Sequence, residues 1–488
     1  MKPHRSFFRA SVRGLRLSTP STVLLAALLV AGCSAPGGEP PWHSVHLTWQ
    51  GDTSTTMTVN LVVEVDGSDQ RLPRSASVEW RPSGTEGQAS SVAGKAVEIE
   101  GVPGVRVFHF ELRDLEPGAS YDFTTTAEGR PLGNGRSFRT VPREGPVRLA
   151  AGGDVGTEPL SLALLAEAAG QSPHMLVIGG DLAYANGLVS RWPRWRTWLE
   201  YVTEALVTPE GHTVPMVLAI GNHEVNVGRE GGVPASAPPE RKAPFFFGLF
   251  AQNQAPGNSA DAGGATYFRR GLGAAGALYV LDTGHLVAHA DQASWLEAHM
   301  ATDADLPNRV ALYHVPLYPA HRSYEASARA REAWEGVFDR GGLTVALENH
   351  DHVLKRSHPI RLGEVVGPDE GVLYLGDGTM GVDARTVDAE ERWYIARSAS
   401  EPHFWMAELS GEGSIFRAFD EEGRLLDLVT TGDVETPPDA GSVELELDRV
   451  IEESADAALL RIPASRRLVA PVYAESRTGG SQRPLALP

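Results

Sequence analysis

A chain of 488 residues, 42% apolar and 22% charged, has the composition of an ordinary globular protein and the length for roughly two or three domains with full cores. Its net charge of −19, from 43 basic against 62 acidic residues, argues against a nucleic-acid-binding surface, which needs a basic face. An acidic chain that handles anionic substrates needs compensating cations at its site, and bound metal ions can supply them.

Taken in order, the N-terminus reads as a targeting segment. Lys2, Arg5, Arg9, Arg13 and Arg16 precede the apolar run Val23 to Val30, which is too short to cross a bilayer comfortably. The run ends in Val30-Ala31-Gly32-Cys33-Ser34, which resembles a bacterial lipoprotein signal whose cysteine becomes the lipidated first residue of the mature chain. A plain secretory peptide with an incidental cysteine is the alternative. Cys33 is the only cysteine, so no intramolecular disulfide can form and stability must come from core and metal. Residues 1–33 are expected to be signal peptide and 34–42 a Pro- and Gly-rich tether. The expected location is the bacterial cell envelope, periplasmic or surface-exposed, with membrane attachment through Cys33.

Residues 43–143 have period two. Val45, Leu47 and Trp49 alternate with polar residues, as do Met57, Val59, Leu61 and Val63, and later Phe108, Phe110 and Leu112. Turn clusters separate the runs, so a small antiparallel β-sandwich is predicted. Within Leu115-Glu116-Pro117-Gly118-Ala119-Ser120-Tyr121, the tyrosine can return its hydroxyl to the chain, the corner device of immunoglobulin-like sandwiches. The stretch Phe108 to Thr140 resembles a fibronectin type III-like domain.

From Val147 apolar runs alternate with helical stretches, and residues 146–432 are expected to form an α/β domain. Strands are predicted at 147–151, 175–178, 214–220, 277–281, 310–313, 343–347 and 372–375, and helices at 159–169, 192–206, 292–300 and 326–338. The helically spaced Trp192, Trp195 and Trp198 are assigned to core or domain contact. Glu230 to Pro244 and Gln252 to Gly264 read as surface loops, with Phe245-Phe246-Phe247 between them packed in the core or lining a pocket. A hairpin around Gly411-Glu412-Gly413 and a third strand from Leu425 end the domain, and residues 433–488 form a tail of no evident fold.

The strand ends carry the chemistry. Gly153-Asp154-Val155-Gly156 follows the first strand, Gly180-Asp181-Leu182-Ala183-Tyr184 the second and Gly221-Asn222-His223-Glu224 the third, with Tyr313-His314 and Asn349-His350-Asp351-His352 later. These are oxygen and imidazole donors without a thiolate, delivered by five loops, and they suit one or two ions such as Fe, Zn or Mn. The glycines are expected to let the chain turn sharply and approach an ion closely.

This order of motifs resembles the metallophosphoesterase superfamily, and within it the purple acid phosphatase family. The resemblance covers roughly residues 43–429. It implies an αββα sandwich of two facing mixed sheets in place of one open parallel sheet. It also implies two ions, Fe(III) with Zn, Mn or Fe(II). One would be held by Asp154, Asp181, Tyr184 and His352, and the other by Asp181, Asn222, His314 and His350. His223 would face the substrate and stabilise charge or protonate the leaving alkoxide, His321 would lie near the substrate, and Glu224 would orient His223 or a neighbouring ligand. Asn349 replaces the family's glycine, a position where asparagine tolerates left-handed backbone.

The implied activity is hydrolysis of a small phosphate monoester by a metal-bound hydroxide. The alternatives are a phosphodiesterase on the same metals and a non-catalytic surface-binding protein. No nucleic-acid partner is expected.

Overall fold

The computed structural model describes residues 41–65, 71–252, 266–387, 392–435 and 437. The signal and anchor expected around Cys33, most of the loop expected at 252–264 and nearly all of the tail lie outside these residues. No helix among the described residues is long and apolar enough to cross a membrane.

The N-terminal region is all β. One four-stranded antiparallel sheet runs in the order Trp42–Thr48, Met57–Glu64, Val105–Leu112, Lys95–Val97, and a second in the order Ser90–Ala93, Ala76–Pro82, Ser120–Ala127, Arg130–Arg139. Strand Ser120–Ala127 alternates strictly, burying Tyr121, Phe123, Thr125 and Ala127. Leu47, Trp49, Val59, Leu61, Phe108, Phe110, Tyr121, Phe123 and Phe138 belong to one apolar cluster fed by both sheets. The Tyr121 hydroxyl accepts the Glu116 amide at 2.8 Å, the return contact expected of that corner.

The period-two pattern undersells the first sheet. Met57–Glu64 is buried on both faces down to its last residue, because helix Trp192–Ala205 and the segment Pro244–Leu249 cover the face that alternation would leave to water. Trp192 meets Trp42 edge-on at 6.2 Å and donates from its indole to Glu64 at 2.9 Å. Trp195 packs against Phe245 and Phe250. The tryptophan stripe thus joins the helix to the first sheet, and Phe245, Phe246 and Phe247 are core.

The remaining strands form two mixed sheets. A six-stranded sheet runs Met216–Leu218, Met175–Ile178, Val147–Gly152, Phe404–Leu409, Gly413–Phe419, Leu425–Gly432. Its first three strands are parallel and the rest antiparallel. A seven-stranded sheet runs Phe268–Gly271, Gly276–Val280, Asn308–Leu312, Val345–Leu347, Leu373–Gly376, Leu354–Ser357, Ile395–Ala399, with four parallel strands at its heart. Leu149, Val177 and Ala407 of the one and Leu278, Leu312 and Leu375 of the other belong to one apolar cluster. Helices Pro159–Gly170 and Trp192–Ala205 pack with the six-stranded sheet, while His289–Thr302 and Ala328–Gly341 pack with the seven-stranded one. This is the mixed α/β arrangement that the resemblance implied, not a single open sheet.

Candidate metal centre

The parallel strands of both sheets end at one edge, and all seven proposed ligands lie just past those ends or in the loops that follow. Asp154 follows Val147–Gly152, Asp181 and Tyr184 follow Met175–Ile178, and Asn222 follows Met216–Leu218. His314 follows Asn308–Leu312, and His350 and His352 follow Val345–Leu347. Parallel strands share one C-terminal direction, so their loops collect donors at one place.

The donors fall into two touching groups. In the first, the Tyr184 hydroxyl lies 3.0 Å from Asp154 Oδ1 and 3.1 Å from His352 Nε2, and His352 Nε2 is 3.0 Å from Asp154 Oδ1. In the second, His314 Nε2 lies 3.0 Å from Asn222 Oδ1, 3.0 Å from His350 Nδ1 and 3.3 Å from Asp181 Oδ2. Donor atoms of Asp154, Asp181, His314 and His350 all lie within 4.8 Å of one another, which ties the two groups together.

The second group fits a cation. His314 Nδ1 is 2.8 Å from the Gly179 carbonyl and must donate there, so its Nε2 turns a lone pair toward an amide oxygen, a carboxylate oxygen and another imidazole nitrogen. Either a proton or a metal ion has to occupy that convergence. The titration tendencies agree. Burial works against a charged His314, yet Asp181 and Asp154 outweigh it and raise the group to about 9. Burial likewise opposes ionisation of Asp181, but His314, His223 and His350 hold it well below the carboxylate range. Burial and then the His314 charge keep His350 neutral, the form that binds metals. The Tyr184 phenol is pushed far up by burial and by Asp154 and Asp181, so only a strong Lewis acid would ionise it.

Backbone strain gathers at the same place. Asp154, Asp181, Tyr184, His350 and His352 all have φ between +53° and +75°, a conformation costing on the order of 1–3 kcal/mol for each such residue. Glycines and proposed ligands share the left-handed turns: Gly156 and Gly180 have φ of +74° and +95°, whereas Gly153 and Gly221 serve close packing. A Cβ on Gly221 would stand 2.3 Å from Asp181 Oδ1, and one on Gly179 would stand 1.7 Å from Asn349 Nδ2. Asn349 is not left-handed; its amide fills the space beside Gly153 and Gly179 and donates to the Tyr313 carbonyl at 2.8 Å.

Glu224 makes no hydrogen bond to the His223 ring. Its two oxygens accept the amides of Asp181, Leu182 and Gly221 at 2.8, 2.9 and 2.9 Å, so it shapes the loop that presents Asp181. Burial, helped by the Asp181 charge, raises its carboxyl to about 7 against the pull of those amides. The His223 ring lies over Tyr184 with centroids 4.3 Å apart, its Nε2 is 3.8 Å from Asp181 Oδ2, and its side chain keeps 28% exposure, so it sits at the rim of the cluster. His321 bonds elsewhere: its ring contacts the Thr386 carbonyl at 2.8 Å and its amide donates to Asp351 at 2.7 Å.

Two residues near the site were passed over in the sequence. Asn186 Oδ1 holds His223 Nδ1 in a short hydrogen bond and fixes the ring. His285 sits 5.6 Å from the His314 ring, centroid to centroid, at the end of Gly276–Val280. The stretch Asp282-Thr283-Gly284-His285 repeats the strand, glycine and histidine grammar of the recognised loops and could have been found by it.

Residues 151–354 match the family model for calcineurin-like phosphoesterases. The chain carries a calcineurin-like metallophosphoesterase domain. That domain contains every proposed ligand. Purple acid phosphatase 21 of Arabidopsis thaliana is 22% identical over 278 residues, covering 56% of this chain and 58% of that protein. An uncharacterised protein of Mycobacterium tuberculosis is 25% identical over 390 residues, 72% of this chain and 65% of that one. Among solved structures, the purple acid phosphatase PPD1 of yellow lupin (Lupinus luteus) superposes with a TM-score of 0.64 at 17% identity, covering 80% of this chain and 74% of that one, which shows a common fold. The chain spans a little over half the length of the first of these relatives.

Proposed function

We propose that the protein hydrolyses small phosphate monoesters at a dinuclear metal centre. The observation that carries this reading is the convergence of His314 Nε2, Asp181 Oδ2, Asn222 Oδ1 and His350 Nδ1, with Asp154, Tyr184 and His352 joined to it at the next position. Asp154, Asp181, Tyr184 and His352 would hold one ion, and Asp181, Asn222, His314 and His350 the other, with Asp181 shared. When bound, such a pair lowers the pKa of water and offsets the charge that builds on a phosphoryl group. A phenolate from Tyr184 favours Fe(III), with Zn, Mn or Fe(II) beside it.

The chain's own residues supply orientation and a proton. Asn186 pins Nδ1 of His223, leaving Nε2 to meet the leaving oxygen, and the partial exposure of the ring lets a substrate reach it. His321 would act on the substrate only indirectly, because its amide donates to Asp351, between the proposed ligands His350 and His352.

Metal analysis with a visible spectrum, together with steady-state rates on matched phosphate mono- and diesters, tests the reading. The expected results are two ions per chain, a visible band lost in Tyr184→Phe, and faster turnover of the monoester. His223→Ala should slow poor leaving groups by ~10²–10⁴ and activated aryl esters far less. Purified protein that stays metal-free and inactive after reconstitution with iron and zinc would leave a non-catalytic binding protein instead.

The reading extends to the ends of the chain. Residues 43–143 serve as a fibronectin type III-like module, and Cys33 anchors the exported protein to the cell envelope. The motif around Cys33 supports the second point, and a Cys33→Ala variant should leave the membrane fraction.

A further inference from the structure

We propose that this site takes phosphate esters bearing a second anionic group, a carboxylate or another phosphate, and that Arg229 and Arg385 recognise that group. The inference rests on the phosphate-ester reading above and concerns which esters enter.

The two arginines are each bonded beside a proposed ligand of the second group. Arg229 donates from its Nη2 to the Asn222 carbonyl at 2.7 Å and from Nε to the Val225 carbonyl at 2.9 Å. Arg385 donates to the His350 carbonyl at 3.4 Å, and its amide is held by the His352 carbonyl at 2.8 Å. Asn222 Oδ1 and His350 Nδ1 each stand 3.0 Å from His314 Nε2. Each guanidinium is thus tied to the main chain of a proposed ligand, and the two come from different loops.

Among the described residues, Arg229 and Arg385 pair with no carboxylate within 4.0 Å, whereas the neighbouring Arg322 lies 3.3 Å from Asp351. Both are partly buried. Partly burying an unpaired guanidinium costs free energy that a ligand can return. Each keeps donors of its five unspent on the protein. In a chain of net charge −19, these two arginines set positive charge beside the carboxylates of the proposed metal ligands. A metal pair already balances a single phosphate, so these further charges suit a second acid on the same molecule.

Propylphosphonate and phosphonopropionate are resistant to hydrolysis and differ only in a terminal carboxylate; ethylene-bisphosphonate replaces that carboxylate with a phosphonate. Calorimetric titration of the full-length, metal-loaded protein with each should give about ten-fold tighter binding of at least one doubly anionic ligand, as one new charge-assisted contact provides. Which of the two gains more identifies the second group. Arg229→Gln and Arg385→Gln should each shrink that ratio at least about three-fold, with the Lys variants intermediate because they keep the charge without the fork. A ratio near one in the parent protein, no binding of any of the three, or equal weakening of all ligands in the variants would overturn the proposal. Failure to hydrolyse any ester while the preference persists would count against the catalytic reading alone.

Discussion

Lys355 and Glu348 form an ion pair at 2.5 Å with neither side chain exposed to solvent. Asp377 Oδ2 is 2.9 Å from the same ammonium group, which also donates to the Tyr318 carbonyl at 2.9 Å. The other Glu348 oxygen accepts the Tyr313 hydroxyl at 2.7 Å and the Leu317 amide at 2.6 Å. Glu348 lies two residues before His350, and the Asp377 carbonyl accepts the His352 amide at 2.8 Å, so the cluster backs the histidine loop directly. Burial disfavours the charged lysine, but Asp377 and Glu348 overcome it and hold its proton more tightly than usual.

Lys355→Met should therefore destabilise the protein by ~3–5 kcal/mol, because it strands two carboxylates in a dry interior. Chemical denaturation of parent and variant measures this, and a loss below about 1 kcal/mol would mean that the carboxylates find other partners or protonate cheaply.

The Gly179 and Asn349 contact predicts a rescue. Gly179→Ala places a methyl group 1.7 Å from Asn349 Nδ2 and must displace the side chain that spans the strand ends. Metal content after purification should fall by about ten-fold or more, as when the support behind a ligand is lost. Adding Asn349→Gly should restore much of it. Equal metal content in parent and single variant would show that the two loops move apart without cost.

Glu224→Gln keeps shape while replacing one acceptor oxygen with a donor that faces backbone amides. At least one of the three amides from Asp181, Leu182 and Gly221 loses its acceptor. A stability loss of ~1–3 kcal/mol is expected, and with it a 10- to 100-fold weaker metal affinity, roughly, read by competition with a chelator. Unchanged affinity would confine Glu224 to folding.

The covered face of the first sheet makes stability pH-dependent. Burial holds His46 near 3 and His109 near 4, against an ordinary 6.5. Their folded values are depressed, so the stability that comes from keeping them neutral is present above about pH 6.5 and is lost as pH falls toward those values. Each should contribute roughly 1.4 kcal/mol of loss per pH unit in that window. Thermal melts from pH 7 to pH 4, compared with those of His109→Gln, should show a flatter acid limb in the variant. Parallel limbs would place the acid sensitivity elsewhere.

Much of this architecture can be read from the residues. The long helices Pro159–Gly170, Trp192–Ala205 and Ala328–Gly341 and the buried strands fall within a few residues of the periodic runs. The short helices Pro239–Lys242 and Pro244–Leu249 do not, because each opens on a proline that reads as a breaker in a Gly- and Pro-rich stretch. At the site, residue types at strand ends located the donors, since strand direction fixes where loops emerge. Local sequence could not reveal that the proposed ligands take left-handed turns as well as Gly156 and Gly180, or that Asn349 spans the two loops through its side chain. Those facts belong to packing between segments far apart in the chain. His285 was legible and overlooked.

The strand Val147–Gly152, which leads into Asp154, pairs on one side with Met175–Ile178 and on the other with Phe404–Leu409. A ribosome making this protein finishes the loops that carry the proposed ligands before it makes the partner for that second edge. A fragment trimmed to residues 151–354 would lack part of this strand and the hairpin that covers it, and would present an open apolar edge to other chains. Expression of the domain for study should therefore extend through Gly432, where the last strand of the sheet ends.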